Sequence, residues 1–537
     1  MLPPNLSPMS GSRQGGSAPP PGHPTRVRAA ELVALRDGNP TNWLNLAFEQ
    51  FCAFRFGRGH AALGEALRRD GQLLAAHWLG FQFPLAPAPA DAAQAEAFRQ
   101  RWEAGLAAFE ALDFRHPHLR RQVWGCVGSC TSFYRHYLDD DVSALQRRYG
   151  RLLHRMMAAL DPGDPPRPPR SRRRRILVAS AHLYHHTVAR LFVPLFEALD
   201  RGHFDLHFAH LGDADDGMTA RVRAAGTCHG PRDAFAWRML IRKLAPDVIV
   251  YLDIGMHPTA QGLAALRLAP VQCVMWGHPV TTGLPTIDYV LSPDAFEPAD
   301  AQMHYSERLV RLPGFGHGLD PPEGAAARPP DRRQATDLLC AQSVYKLMPE
   351  QDGLFARILA RVPGARLHLV PHQDAHVRQW LHARMRPVLE AHGVDPARVV
   401  LHGYRPLEEF LALADRCAVN LDAIGWSGGM STIDLLRRGI PTVTIEGRTM
   451  RTRQTACLLR HAGAPELVAA DPDAYVETAV ALATRPALRD ETAARLLRGS
   501  TRCGDRQAVV DALAAFLAGC EPVQAGLDSA PPASSLR

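Results

Sequence analysis

Residues 418–438 read Ala-Val-Asn-Leu-Asp-Ala-Ile-Gly-Trp-Ser-Gly-Gly-Met-Ser-Thr-Ile-Asp-Leu-Leu-Arg-Arg, passing from a short apolar run through a glycine-rich turn into a helical stretch. Strand, loop and helix in that order form the unit of a doubly wound sheet. The unit recurs on both sides. Further strands are predicted at 338–342, 366–370, 399–402 and 442–445, separated by amphipathic stretches. An earlier series occupies 176–179 (ILVA), 204–209, 248–252 (VIVYL) and 271–275, and a Pro/Gly-rich stretch at 313–330 divides the two series. Alternating strands and helices imply parallel sheets covered on both faces. The expectation is an α/β protein of two Rossmann-like domains, 176–325 and 326–520. Their ligand would sit between them, at the carboxyl ends of the strands.

Upstream the periodicity changes. Apolar residues spaced by three and four at 43–56, 92–112 and 142–160 predict helices, so 26–165 is expected to be an all-α domain. No convincing repeat of about 34 residues is present. Residues 166–175 form a basic, proline-rich linker. Disordered tails are expected at 1–25, which is rich in Pro, Ser and Gly, and at 521–537.

The chain has 537 residues, of which 46% are hydrophobic and 21% charged, enough for two or three buried cores. No run of about 18 uncharged apolar residues occurs and the first residues lack the apolar centre of a secretory signal, so a cytoplasmic protein without a membrane span is expected. The ten cysteines are scattered and are read as reduced thiols. The 25 histidines show no H-E-x-x-H spacing, and no metal is expected. Much of the net charge of +7 lies in Arg167 to Arg175 (RPPRSRRRR). No aromatic residues interleave that run, so a solvated linker is favoured over a nucleic-acid arm. Of the 61 basic residues only Lys243 and Lys346 are lysines, which draws attention to any lysine near a candidate site.

Gly428, Gly429, Met430, Ser431 and Thr432 could cradle a phosphate, because glycines admit close approach and a helix start offers free N–H groups. The alternative is plain capping, since Ser431 and Asp434 form an S-x-x-D box. Lys346 follows a predicted strand and could neutralise a leaving diphosphate, or it could be an ordinary surface lysine. His185 and His186, after the first strand, and His278, after 271–275, would face the cleft; the adjacent pair could equally be a polar helix start. Asp213-Ala214-Asp215 resembles a metal-holding acidic pair but lies in an acidic loop, and Asp139 to Asp141 read as helix capping.

Together these segments resemble the O-GlcNAc transferase/SPINDLY-like family, which includes bacterial cytoplasmic glycosyltransferases that modify adhesins. The likeness runs from about Gln122 to Leu517. It is carried by 180–187, by 268–272 through Asp288-Tyr289, by 305–309, and by 421–444 with D-x-L-x-x-G-x-P-x-V-T from Asp434. The resemblance implies a GT-B architecture of two facing Rossmann-like domains. It also implies inverting, metal-independent transfer of GlcNAc or glucose from a UDP-sugar to Ser/Thr of a polypeptide, with no cofactor.

On this resemblance His185 is the active-site histidine and Lys346 the diphosphate lysine. Asp434 holds the ribose, Gly429, Met430 and Ser431 form the diphosphate loop, and Arg405, Pro406, Leu407 and Phe410 bind the base. O-GlcNAc transferases usually have histidine and threonine at Gly429 and Met430, glutamine at Ser343 and tyrosine at His278. The His278-Pro279 pair is closer to the adhesin-modifying branch and keeps Asn open as the acceptor. Transfer to a small molecule or glycan, and a non-catalytic nucleotide-binding scaffold, are the remaining alternatives.

Overall fold

The computed structural model describes residues 19–523 except 140, 162, 164, 167, 169, 170, 321–335 and 501–505. It opens with helices Pro24–Asp37, Pro40–Cys52, Phe56–Arg69, Leu74–Gln82, Ala92–Glu110, Pro117–Val127 and Ser143–Leu160. Pro24, Pro40 and Pro117 occupy first helical positions, where the missing N–H is not needed, and His23, Asn39 and His116 accept from the following turn. The helices bury an aromatic core in which Trp78, Trp102 and Tyr149 are fully enclosed. The helix expected at 43–56 is broken. Phe54 adopts φ 57° and its ring meets that of His372 at 4.0 Å, so a side chain that fits the helical period docks instead on the last α/β unit.

The first α/β unit contains β1 (Arg174–Ser180), β2 (Phe204–His210), β3 (Thr227–His229), β4 (Val248–Tyr251), β5 (Val271–Met275), β6 (Tyr289–Pro293) and β7 (Arg308–Leu312). All are parallel, in the order β3-β2-β1-β4-β5-β6-β7. The second contains β8 (Leu338–Cys340), β9 (Leu367–Leu369), β10 (Val399–Leu401), β11 (Val419–Leu421), β12 (Thr442–Ile445) and β13 (Val468–Ala469), parallel in the order β10-β9-β8-β11-β12-β13. The chain winds outward in one direction and then returns to the middle, which places a topological switch point between β1 and β4 and another between β8 and β11. β3, β6, β7 and β13 were not expected from sequence. β3 and β13 are too short to show a period, and β7 is an edge strand interrupted by Arg308 and Arg311.

Several expected boundaries move. The helical layer starts at Pro24, and the amide of Gly22 donates to Glu49 Oε2 at 2.7 Å, so the end of the expected tail 1–25 is tied down. The last two residues of the expected linker 166–175 belong to β1. Arg174 donates to the carbonyls of Leu517, Ala518 and Cys520, and Arg175 to Asp205 Oδ2 at 3.1 Å. The final helix, Arg506–Gly519, packs on helix Thr187–Glu197 and β7 of the first unit instead of staying within 326–520. Of the expected tail 521–537, residues 521–523 are held by Tyr289 and Asp288, and 524–537 lie outside the described residues. Among the described residues no helix is long and apolar enough to cross a membrane.

Helix Ser143–Leu160 rests directly on the first α/β unit. A Cβ at Gly150 would run into the backbone of Gly283, and one at Gly283, at φ 68°, into the carbonyl of Gln146. Such backbone-on-backbone contact leaves no room for a side chain. Gly150→Leu is therefore expected to lower stability by about 3 kcal/mol, measured by urea denaturation; an unchanged midpoint would show that the contact is not needed.

Candidate active site

The second switch point is organised by Asp422, one residue beyond β11 and fully buried. Its Oδ1 accepts from Gln342 Nε2 at 3.0 Å and from the Gly428 amide at 2.9 Å, and its Oδ2 accepts from the Thr444 hydroxyl at 2.9 Å. One carboxylate thus joins the ends of β8, β11 and β12. Burial pushes its pKa above the usual carboxylate range, against the pull of these donors and of Lys346. Lys346 sits in the 3-10 turn Val344–Lys346, with Ser343 as its N-cap. Its ammonium donates to Gln342 Oε1 at 3.0 Å and to the carbonyl of Ser427 at 3.2 Å. The lysine and the glycine loop therefore meet at one spot. Burial brings the ammonium down to about 8, opposed by the charges of Asp422 and Cys340.

The loop 427–429 is held from behind. Ser427 Oγ donates to Arg451 O at 3.0 Å and Thr455 Oγ1 to Gly428 O at 3.0 Å. A Cβ at Gly428 would strike the Thr432 hydroxyl and the Gln342 amide, and one at Gly429 would lie 2.7 Å from Gln454 Oε1. Gly429 is the N-cap of helix Met430–Leu436, and no side chain caps it. The capping-box alternative for Ser431 and Asp434 is not what forms: Asp434 accepts instead from Arg190 at 3.1 and 3.3 Å, bridging to helix Thr187–Glu197 of the other α/β unit. Met430 and Thr432 are buried, while Ser431 is half-buried. Pro406 is the N-cap of helix Leu407–Ala414. Arg405 Nη2 lies 3.1 Å from His402 Nδ1, Leu407 is exposed, and Phe410 packs on a cluster that includes Leu435 of the neighbouring helix.

The first switch point also carries a buried aspartate. Asp253, beyond β4, accepts from Ser180 Oγ at 3.0 Å and from His182 Nδ1. His182 stacks on His186 at 4.4 Å. The two neighbouring histidines differ sharply. His185 is exposed, and its backbone amide donates to Asp216 Oδ2 at 2.7 Å. The ring of His186 is inside: Nδ1 accepts from the Val188 amide at 3.2 Å, and the buried Nε2 has no hydrogen-bond partner among the described residues. Burial, with His182 and His185 nearby, holds its pKa well below the usual range, so it is neutral at pH 7 with its proton on Nε2.

The helical layer reaches into the same region. Its 3-10 turn Phe133–Tyr137 lies between the two switch points. Tyr137 stacks on Trp426 at 4.3 Å, and Phe133, Tyr134 and Tyr137 all contact Tyr345, the neighbour of Lys346. His278 is buried, with its ring 5.7 Å from that of Phe133 and 5.6 Å from that of Trp426. Beside Tyr345, a small, mostly apolar hollow of about 40 Å³ opens between this turn and the proline-rich strap 84–89. The acidic runs are otherwise engaged. Asp215 pairs with Arg223, Asp139 with Arg99 and Arg135, and Asp141 accepts from the Ser143 amide at helix Ser143–Leu160; Asp140 lies outside the described residues.

The sequence profile described as glycosyl transferase family 41 matches residues 336–503, the unit that holds Lys346, Asp422 and the glycine loop. The whole fold superposes on a mutant of the O-GlcNAc transferase of Thermobaculum terrenum with a TM-score of 0.69 and 26% identity, covering 92% of each chain. The chain is similar to the O-GlcNAc transferase/SPINDLY-like glycosyltransferases. Its two α/β units are the halves of a GT-B architecture. It is 32% identical over 273 residues to the probable UDP-N-acetylglucosamine–peptide N-acetylglucosaminyltransferase SPINDLY of Solanum lycopersicum, covering 49% of this chain and 28% of that protein. It is 27% identical over 238 residues to the UDP-glucose:protein N-beta-glucosyltransferase of Actinobacillus pleuropneumoniae, covering 43% of this chain and 37% of that one. The match thus spans only 28% and 37% of these relatives' lengths.

Asp422, Gln342, His182, Asp253 and His136 were not singled out from sequence. Each is a buried polar residue at or near a strand end or in a helix connection, and a lone Asp or Gln after an apolar run carries no spacing signal. Because Asp422 satisfies three donors at once, Asp422→Ala is expected to destabilise the protein by about 3 kcal/mol and to release the glycine loop. Thermal denaturation and proteolysis at 425–430 would check this; a stable variant with a protected loop would refute it.

Proposed function

We propose that the protein is an inverting glycosyltransferase that moves GlcNAc or glucose from a UDP-sugar to Ser or Thr side chains of a polypeptide, without a metal or other cofactor. The observation that carries this reading is the meeting of Lys346 with the glycine loop at the β8/β11 switch point, where a water-poor site holds a fixed cation beside the first amides of helix Met430–Leu436. In the reaction an acceptor oxygen attacks the anomeric carbon in line. The bond from that carbon to the diphosphate breaks, the electron pair leaves with UDP, and the acceptor's proton passes to solvent or a nearby base. Lys346 and the loop offset the negative charge that develops on the leaving group.

Asp434 and the segment with Arg405, Pro406, Leu407 and Phe410 are assigned to the ribose and base, which requires Asp434 to exchange its Arg190 contact for the ribose hydroxyls. His185 stands at the exposed mouth, where it can orient the acceptor. His186 offers a buried, unpartnered N–H that suits a sugar or phosphate oxygen. The hollow beside Tyr345 suits an apolar side chain of the acceptor polypeptide. Asn is the second reading for the acceptor, favoured by His278-Pro279 and by similarity to the Actinobacillus enzyme. A cytoplasmic setting accords with cysteines spaced for no disulfide framework. A nucleic-acid partner is not part of this reading, because Arg174 and Arg175 of the basic run are committed to protein carbonyls and Asp205.

Incubation with labelled UDP- and GDP-sugars and lysate, followed by mass spectrometry of the labelled side chains, is expected to show UDP-GlcNAc or UDP-glucose turnover on protein. Lys346→Ala should reduce turnover by about 10²- to 10³-fold, and full activity in that variant would overturn the lysine's role. The Lys346 ammonium is charged below about 8 and neutral above, so kcat/KM for the donor should fall as pH rises through about 8. Lys346→Arg, which stays charged, should remove that alkaline limb; an identical limb in the variant would assign it to another group. Turnover should fall by about 10²-fold in His186→Ala and by less than tenfold in His185→Ala, an order that initial rates can confirm or reverse.

A further inference from the structure

We infer that His136, supplied by the helical layer, is a positioning residue for the cleft: it fixes the imidazole of His278 in the tautomer whose bare Nδ1 accepts a hydrogen bond from a substrate hydroxyl. The inference rests on the proposed glycosyl transfer and adds a residue outside the α/β units to its machinery. His136 Nδ1 and His278 Nε2 are 2.8 Å apart, and both rings are buried. Only one of the two nitrogens can carry the shared proton when both rings are neutral.

The next link decides which. His136 Nε2 lies 3.1 Å from Gln146 Oε1. The orientation of that amide is set by its other end, where Gln146 Nε2 donates to the Thr282 carbonyl at 3.4 Å. An amide oxygen accepts only, so His136 Nε2 carries the proton, and the hydroxyl of Ser132, 3.0 Å from that nitrogen, turns its hydrogen toward Gln146 Oε1 at 3.5 Å. His136 Nδ1 is then a lone pair, and His278 must present its N–H there. His278 Nδ1 is left bare, with no hydrogen-bond partner among the described residues.

The surroundings keep the ring in that pose. Gly255, at φ 102°, packs against the Cδ2 edge, where a Cβ would come within 2.8 Å, and Phe133 and Trp426 flank the ring. Trp426 immediately precedes Ser427, so His278 stands next to the loop that meets Lys346. A lone pair repels a diphosphate and attracts an O–H donor, so its partner is a hydroxyl, from either the transferred sugar or the acceptor.

The test uses full-length protein in two readouts. Heteronuclear NMR of histidine-labelled protein, with His278 assigned from His278→Gln, should show the proton on Nε2. His136→Phe, which removes the acceptor, should move it to Nδ1. His136→Asn, whose carbonyl oxygen occupies the place of Nδ1, should keep it on Nε2. In kinetics with the turned-over UDP-sugar, His136→Phe should lose about 10- to 100-fold in kcat with donor KM changed less than about twofold, His136→Asn should retain at least about a third of kcat, and His136→Phe in a His278→Gln background should cost nothing further.

A parallel fall in donor hydrolysis without acceptor assigns the hydroxyl to the sugar; a fall in transfer alone assigns it to the acceptor. A wild-type proton on Nδ1, an Asn variant as impaired as the Phe variant, or additive losses would overturn the role of His136. Absence of turnover with every sugar nucleotide would instead count against the proposed function, and the tautomer readout would still decide this one.

Discussion

A single buried carboxylate holds the second half of the cleft in shape. Asp422 has no exposure to water, and an unpaired charge there would be prohibitive, so the structure surrounds it with donors from three strand ends: Gln342, Gly428 and Thr444. Satisfying the carboxylate fixes the glycine loop, and fixing Gln342 gives Lys346 its place, since the ammonium rests on Gln342 Oε1 and on the carbonyl of Ser427. The cation and the loop are thereby held together, which is the arrangement that electrostatic preorganisation requires.

The first half of the cleft repeats the scheme with different residues. Asp253 follows β4 at the switch point beside β1 and accepts through Oδ2 from Ser180 and His182, so a buried acid again ties down the strand-end loop that carries the candidate histidines. In one half the locked loop offers a lysine and backbone amides, suited to phosphate. In the other it offers histidines, suited to hydroxyls. The helical layer is more than a platform for these halves. Its turn Phe133–Tyr137 places aromatic rings against Tyr345 and Trp426 and a histidine against His278, so all three parts of the chain meet at the strand ends.

The two-unit α/β plan was legible because buried parallel strands such as β4 and β5 are continuous apolar runs and glycine marks the loop after β11. Of the edge strands, β10 was expected, but β3 and β13 are too short to show a period and β7 mixes Arg308 and Arg311 into its run. The break at Phe54 escaped because a helical period cannot tell a side chain facing its own helix bundle from one facing another unit. Lys346 stood out by rarity and position. Which of His185 and His186 turns inward could not be read from adjacency, because helix capping by His186 and the pull of Asp216 on the His185 amide set their directions. The buried partners Asp422, Asp253 and His136 are tertiary facts; each acts through residues 22 to 142 positions away, and Asp422 also reaches Gly428 across its own loop.

The claim on which the account turns is that Lys346 and the glycine loop form one diphosphate site. Its most direct measurement is a crystal structure of the full chain with UDP. The account predicts the β-phosphate within hydrogen-bonding distance of Lys346 Nζ and of backbone amides among residues 429–431, with Asp422 still buried behind them. A diphosphate bound elsewhere, with Lys346 still on Gln342 and Ser427, would contradict it.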